Sequence, residues 1–207
     1  TTSSAASDVY KRQILVSIGV EGNSSGFGLK KIGIEIGSNN HIIVDKNGKT
    51  NLDNIYAVGD VIGPPWLAHV SSSEGLYVVE HIAKLSPKKI DYDCIPACTY
   101  SKPEIGSIGL SQKILDERGI DYKVVKSFFN ANGKAVASDS TEGFIKILVS
   151  DRNQILGAHI IGSNATEMIS EFSLAMSNNL SVENILDSIH PHPTFSEAIF
   201  ETLMQLR

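Results

Sequence analysis

Cysteine is scarce in this 207-residue chain: there are two, Cys94 and Cys98, which is too few for a disulfide framework. No apolar stretch approaches the length of a membrane span, so no membrane partner is expected. Lys and Arg total 18 against 23 Asp and Glu, a net charge of −5 with no basic run. That leaves no electrostatic footprint for nucleic acid or an anionic lipid surface. A Gly-x-Gly-x-x-Gly phosphate loop is also missing. The nearest glycine-rich stretch, Gly22 to Gly28, has the wrong spacing and precedes no apolar helix long enough to hold a pyrophosphate, so Gly19 to Gly28 reads as a loop. No internal repeat is found. With 42% hydrophobic residues, the chain can bury a core in one large or two small domains.

The two cysteines lie four residues apart, which invites a redox or metal reading. Pro96 between them argues against helix, and Ile95, Thr99 and Tyr100 favour a strand. Across four strand residues the Cα atoms would lie ~13 Å apart, beyond the ~7 Å limit of a disulfide. Both are therefore expected to be buried small hydrophobes, and no metal site is expected. His190 and His192, at i and i+2 with a proline beside each, make a poor chelate.

Residues 190–207 are the most informative part of the chain. His190-Pro191-His192-Pro193-Thr194 runs directly into Phe195-Ser196-Glu197 and an apolar helical pattern. Proline fixes its own φ, pushes the preceding residue toward extended geometry and is the usual site of a cis peptide bond, so both histidines sit on a constrained turn. Thr194 with Glu197 three residues on reads as a capping box, with Phe195, Ile199, Leu203 and Leu206 on one helix face. Glu197 has a second reading. From the first helical turn it can fold back onto a ring nitrogen of His192, fix its tautomer and raise its basicity.

A second informative segment is Asn54-Ile55-Tyr56-Ala57-Val58-Gly59-Asp60. Ile55 to Val58 is a short apolar run bounded by turn residues and reads as a buried strand ending in Gly59-Asp60. A carboxylate there can accept hydrogen bonds from a ligand hydroxyl, although a structural turn explains Gly-Asp equally well. From Leu67 to Leu85 the spacing of Val70, Glu74, Val78 and Ile82 is helical. The amino end of that helix, with its backbone donors and positive dipole, suits an electron-rich carbonyl or ring nitrogen.

The remaining pattern divides the chain into residues 1–13, 14–89 and 90–207. Thr1 to Gln13 is small and polar and reads as a junction tail, foreign to the rest of the chain. Ile14 to Ile18 reads as a buried strand. Asp45-Lys46-Asn47-Gly48 is a turn signal between His41 to Val44 and the segment after Thr50, which suggests a hairpin. Ser86-Pro87-Lys88-Lys89 marks the boundary. Beyond it, strands are expected at Ile95 to Tyr100, Glu104 to Gly109, Lys123 to Phe129, Phe144 to Val149 and Ile155 to Ile161. Helices are expected after Ser111 as far as Gly119, and at Ala165 to Met176, Val182 to Ile189 and Phe195 to Leu206. Strands succeeded by helices imply an antiparallel sheet covered by helices on one face.

His-Pro-His-Pro-Thr-Phe-Ser-Glu resembles the carboxyl-terminal signature of the dihydrolipoamide dehydrogenase family of flavin disulfide reductases, and the likeness runs from Ile14 to Arg207. The resemblance implies an α/β (α+β) chain: the remnant of an FAD/NAD-binding central domain at 14–89, then a dimerisation domain at 90–207. It makes His192 the acid/base and Glu197 its partner, with a cis bond between His192 and Pro193; His190 would hold a supporting position, a packing role being equally open. Gly59-Asp60 and the Ala68-His69 pair eight residues on are similar to the family's second flavin-binding motif. Asp60 would then bind the ribityl chain of FAD, and the backbone around Leu67, Ala68 and His69 the pyrimidine edge of its ring.

Implied cofactors are FAD and NAD. The implied partners are a second copy of the chain in a homodimer and the lipoyl-bearing proteins of 2-oxo acid dehydrogenase or glycine cleavage complexes. The setting would be the cytoplasm or an organelle matrix. The family's two glycine loops and its redox cysteine pair are not in this sequence, so the resemblance implies a portion that is inactive alone. The chain also departs from the family pattern at Val20 and Gly22, where an arginine and a proline are usual. Alternatives are glutathione or mercuric reductase, although a terminal cysteine pair is lacking for the latter, and a dimerising module without chemistry.

Overall fold

The computed structural model describes residues 14–207, so the reading of residues 1–13 as a junction tail lies outside the described residues. The chain divides into two compact units, Thr1–Lys89 and Ile90–Arg207.

In the first unit the Asp45 turn forms as its sequence predicts. The Asp45 carboxylate accepts from the Asn47 and Lys49 N–H groups at 2.8 and 3.0 Å, and Gly48 N–H donates to Asp45 O at 3.0 Å. Its arms differ from the expected hairpin. Ile42 bridges back to Ile36, and Lys49 forward to Tyr56, each as an isolated antiparallel bridge. Ile55 to Val58 is accordingly a half-buried segment with one bridge, where a buried strand was expected. Ile14 to Ile18 is corrected as well: it is irregular, and Ile14, Leu15 and Ile18 are almost fully exposed. An apolar run becomes a strand only when a neighbour satisfies its N–H and C=O groups, and among the described residues none pairs with it.

Helix α1 (Ala68–Ile82) begins where the spacing places it and buries Val70, Glu74 and Val78, the i, i+4, i+8 stripe. It stops before Leu85 because Lys84 turns left-handed, at φ 60°.

The second unit is an antiparallel sheet of β1 (Ala97–Thr99), β2 (Glu104–Gly109), β3 (Lys123–Phe128), β4 (Gly143–Val149) and β5 (Ile155–Gly162), in the order β1-β2-β5-β4-β3. Helix α2 (Gln112–Arg118) opens at Ser111, whose hydroxyl accepts from Ile114 N–H, and closes at left-handed Gly119, the two signals read in the sequence. The five-residue α3 (Gly133–Ala137) escaped sequence reading because it is too short to show a period. The chain ends with α4 (Ala165–Ser177), α5 (Val182–Leu186) and α6 (Glu197–Leu203).

Register puts Ile108, Ala158 and Ile147 side by side, and likewise Gly106, Ile160 and Ile145, all on one face. Helix α4 lies over β2 and β5, and α6 over β3 and β4. Between sheet and helices Phe172, Ile169, Ile199, Leu203 and Phe129 are completely or almost completely buried. This is the antiparallel sheet with helices on one face that the order of elements predicted.

The cysteine reading changes. Cys94 ends a 3-10 turn, Tyr92–Cys94, because the Asp91 carboxylate accepts from Asp93 N–H at 3.0 Å and closes the chain locally. Cys98 lies in β1. Both are thiols and half-buried rather than buried, and burial pushes the Cys98 thiol up.

Helix α4 can approach β2 only because residue 106 is glycine. A Cβ there would meet Ala165 O at 2.4 Å and the Ile169 Cβ at 3.1 Å. Gly106→Ala is expected to push the amino end of α4 off the sheet and to cost about 1–3 kcal/mol in thermal or urea unfolding of the full chain. An unchanged unfolding midpoint would show that the helix has room to spare.

Candidate active site on the carboxyl-terminal turn

Helix α5 ends at Leu186, short of the expected Ile189, and the chain leaves it through Asp187 and Ser188 to the His-Pro-His-Pro turn. That turn is fastened at its carboxyl end. Buried Asn132 donates from Nδ2 to Thr194 O at 3.1 Å while its Oδ1 accepts from Ala135 N–H and caps α3. The Phe195 ring packs edge-on against buried Phe129, with centroids 5.9 Å apart. The His192–Pro193 bond is cis.

The two readings of Glu197 are compatible, because its two oxygens divide the work. Oε2 accepts from Thr194 N–H at 2.8 Å, which is the backward half of a capping box. Oε1 lies 2.8 Å from His192 Nδ1. The forward half of the box is replaced: the Thr194 hydroxyl donates to Pro191 O at 2.7 Å and so closes the turn. Regular α-helix accordingly starts at Glu197 itself, with Ser196 at the N-cap, two residues later than predicted.

Electrostatics fix the proton. The Thr194 N–H and then the His192 ring hold the Glu197 carboxyl below its ordinary value, so it is a carboxylate at neutral pH and only accepts. Nδ1 of His192 therefore donates, and in the neutral ring the lone pair is on Nε2. The His192 side chain is 78% exposed and that of Glu197 22%, so the ring projects from the surface on a partly sheltered carboxylate. This arrangement presents a base with a fixed tautomer.

His190 behaves differently. Its side chain is 9% exposed, with Nε2 2.9 Å from Glu171 Oε1 and Nδ1 3.2 Å from Ser188 O. Sequence reading missed Glu171 and Asn132. Only an Asn preceding Gly-Lys-Ala, a cap preference, hinted at Asn132, and nothing local marked Glu171.

The other predicted residues belong to the first unit. Asp60 is exposed in a 3-10 turn, Gly59–Ile62, that is docked on α1: Gly59 N–H donates to the buried Glu74 carboxylate at 2.7 Å. Gly59 has φ 76°, and a Cβ on it would meet Ser71 Oγ at 2.8 Å, so the backbone packs directly on the helix. Leu67 is an extended N-cap with no side-chain hydrogen bond to the helix, and Ala68 and His69 at its first turn are exposed. A hydroxyl acceptor and a helix end without a side-chain cap are thus carried on adjoining elements, a donor set that fits a flavin's ribityl chain and ring edge. No group of His, Cys, Asp and Glu suited to a metal ion occurs among the described residues. Nor is any described helix long and apolar enough to cross a membrane.

The sheet-and-helix second unit and the helix-bearing first unit that precedes it in the chain have the disulfide reductase fold. Residues 95–203 match the dimerisation domain of the pyridine nucleotide-disulphide oxidoreductases, and residues 3–75 match the pyridine nucleotide-disulphide oxidoreductase model. The chain belongs to that family. Among curated relatives, the mitochondrial dihydrolipoyl dehydrogenase of Caenorhabditis elegans is 40% identical over 91% of this chain and 38% of its own length. A dihydrolipoyl dehydrogenase of Bacillus subtilis is 42% identical over 93% and 40%.

The crystal structure of LpdA from Mycobacterium tuberculosis superposes with a TM-score of 0.88 at 27% identity, covering 93% of this chain and 42% of that one. The HOCl-induced flavoprotein disulfide reductase RclA from Escherichia coli gives 0.84 at 25%, over 93% and 45%. The chain thus spans roughly two fifths of the length of the relatives it matches.

Since folding depresses the Glu197 carboxyl, its stabilising effect is complete above the ordinary value of 4.5 and is lost as pH falls through the depressed one. Glu197→Gln is therefore expected to lower the unfolding midpoint of the full chain at about pH 7, with the gap to the parent closing as the pH falls below the ordinary value of 4.5. A gap that stays constant with pH would contradict the assignment.

Proposed function

We propose that this chain is the flavin-edge and dimerisation portion of a dihydrolipoamide dehydrogenase, with His192 as its acid/base. The observation that carries the reading is the 2.8 Å contact of His192 Nδ1 with Glu197, which leaves Nε2 open on an exposed ring. The relatives named dihydrolipoyl dehydrogenase support the substrate class. The full protein would oxidise a protein-bound dihydrolipoyl dithiol to the cyclic disulfide, releasing two protons and two electrons. A redox disulfide, FAD and NAD+ would supply the acceptors for those electrons.

Each residue has a defined task in this reading. A thiol of ordinary pKa ~8.5 is mostly protonated at neutral pH and weakly nucleophilic. His192 Nε2 takes its proton, and the thiolate then attacks a disulfide sulfur. Glu197 keeps a hydrogen on Nδ1, so the imidazolium that forms is stabilised without leaving its tautomeric frame. Asp60 accepts from ribityl hydroxyls, and the backbone of Leu67, Ala68 and His69 holds the pyrimidine edge of the ring. When bound, FAD supplies a two-electron acceptor. The protein works as a homodimer, through the domain that matches the family's dimerisation model, and its partners are lipoyl-bearing proteins of 2-oxo acid dehydrogenase or glycine cleavage complexes.

The test is to recover the full-length reading frame and assay NAD+ reduction by dihydrolipoamide. His192→Gln should lower kcat by about 10²–10⁴-fold with FAD content unchanged, the range of a lost general acid/base. A loss smaller than about 3-fold would remove His192 from the chemistry. In the same protein Asp60→Ala should lower the FAD retained on purification, and unchanged retention would remove Asp60 from the cofactor site.

A further inference from the structure

The acid/base reading leaves His190 without a task, yet it is the better held of the two histidines. Nδ1 faces Ser188 O, and a carbonyl oxygen only accepts, so this nitrogen bears hydrogen. Nε2 faces the Glu171 carboxyl at 2.9 Å. Both ring nitrogens thus have a partner within hydrogen-bond distance. The ring also packs on Phe200, with centroids 5.9 Å apart. Glu171 stands on α4 and Phe200 on α6, so His190 ties the turn to both covering helices.

Between His190 and His192 stands only Pro191, whose φ is fixed. Its carbonyl accepts from the Thr194 hydroxyl, Thr194 N–H donates to Glu197, and Glu197 holds the His192 ring. An unbroken series of contacts therefore runs from Glu171 to the base. The other acidic groups that line the hollow around His190 are Asp187, ahead of it in the chain, and Glu197 and Glu201 from α6.

We propose that Glu171 and His190 are a positioning pair that sets the reach and orientation of His192 through the Pro191–Thr194 turn. The inference rests on His192 being the acid/base.

The test uses the full-length holoenzyme in the dihydrolipoamide and NAD+ assay, with flavin content and unfolding midpoint measured for every variant. Glu171→Leu fills the same space without an acceptor and should lower kcat by about 10-fold while KM for dihydrolipoamide stays within about 2-fold. Glu171→Gln keeps an oxygen that accepts from the ring and should recover to within about 3-fold of the parent. Leucine matching glutamine would mean that the site needs only bulk, which overturns the proposal.

His190→Phe should reproduce the Glu171→Leu loss, and it carries the same expectation if Glu171→Leu does not fold. The double variant should be no worse than the poorer single one, because the two residues act as a unit. Losses that multiply would mean that they act independently and would also overturn it. His192→Gln is assayed alongside. If that variant keeps its activity, the acid/base reading itself has failed. If it is crippled while the Glu171 and His190 variants match the parent, only the positioning proposal has.

Discussion

Glu197 stands where two demands on one side chain meet. At the first turn of a helix, backbone N–H groups lack partners, and a carboxylate reaching back to one of them sets where the helix starts. An exposed imidazole, for its part, needs a fixed acceptor if one of its nitrogens is to stay reliably open. Glu197 gives one oxygen to Thr194 N–H and the other to His192. A single carboxylate therefore links the start of α6 to the tautomer of the ring. Because α6 is buried through Ala198, Ile199, Thr202 and Leu203, the position of that carboxylate is inherited from the core of the second unit.

The sheet explains why that core can hold a turn rigid. Its inner face is aliphatic along β2, β5 and β4, and α4 and α6 lie on it side by side. The turn between α5 and α6 is fastened from below by Phe195 on Phe129 and by Asn132 on Thr194 O, both partners belonging to the segment just after β3. Each of these is a modest interaction of about 1 kcal/mol, but they act at different points of a segment that proline has already restricted. Together they restrain the backbone around a side chain that is itself open to solvent.

How much of this could be read in the sequence depended on the range of the interaction. Ser111 and Gly119 are local signals, and α2 obeys them residue for residue. Ile14 to Ile18 and Ile55 to Val58 look strand-like, but a strand is a relation between two segments, and these find at most one bridge. The same limit governs the site. His192 with Glu197 is a five-residue relation and was legible. Asn132 with Thr194 spans sixty-two residues and Glu171 with His190 nineteen, and no local signal links the members of either pair. Cys94 failed for a local reason, since an aspartate two residues before a backbone N–H offers the chain a turn that competes with the strand.

The exposure of the His192–Glu197 contact limits its energetic contribution. A ring that is 78% open to water gains little from a neighbouring charge, because solvent screens the attraction. On this chain the contact is therefore weak as an ion pair and strong as a constraint: it decides which nitrogen carries hydrogen and where the other one points. Its electrostatic worth grows only when water is displaced, since the same charges attract several times more strongly at an effective dielectric of about 20 than in bulk water. On the proposed acid/base reading, His192 is orientated before a substrate arrives, which would suit a thiol whose proton is to be taken as the sulfur is brought up, because an imidazole strongly basic in open water would already hold a proton from solvent.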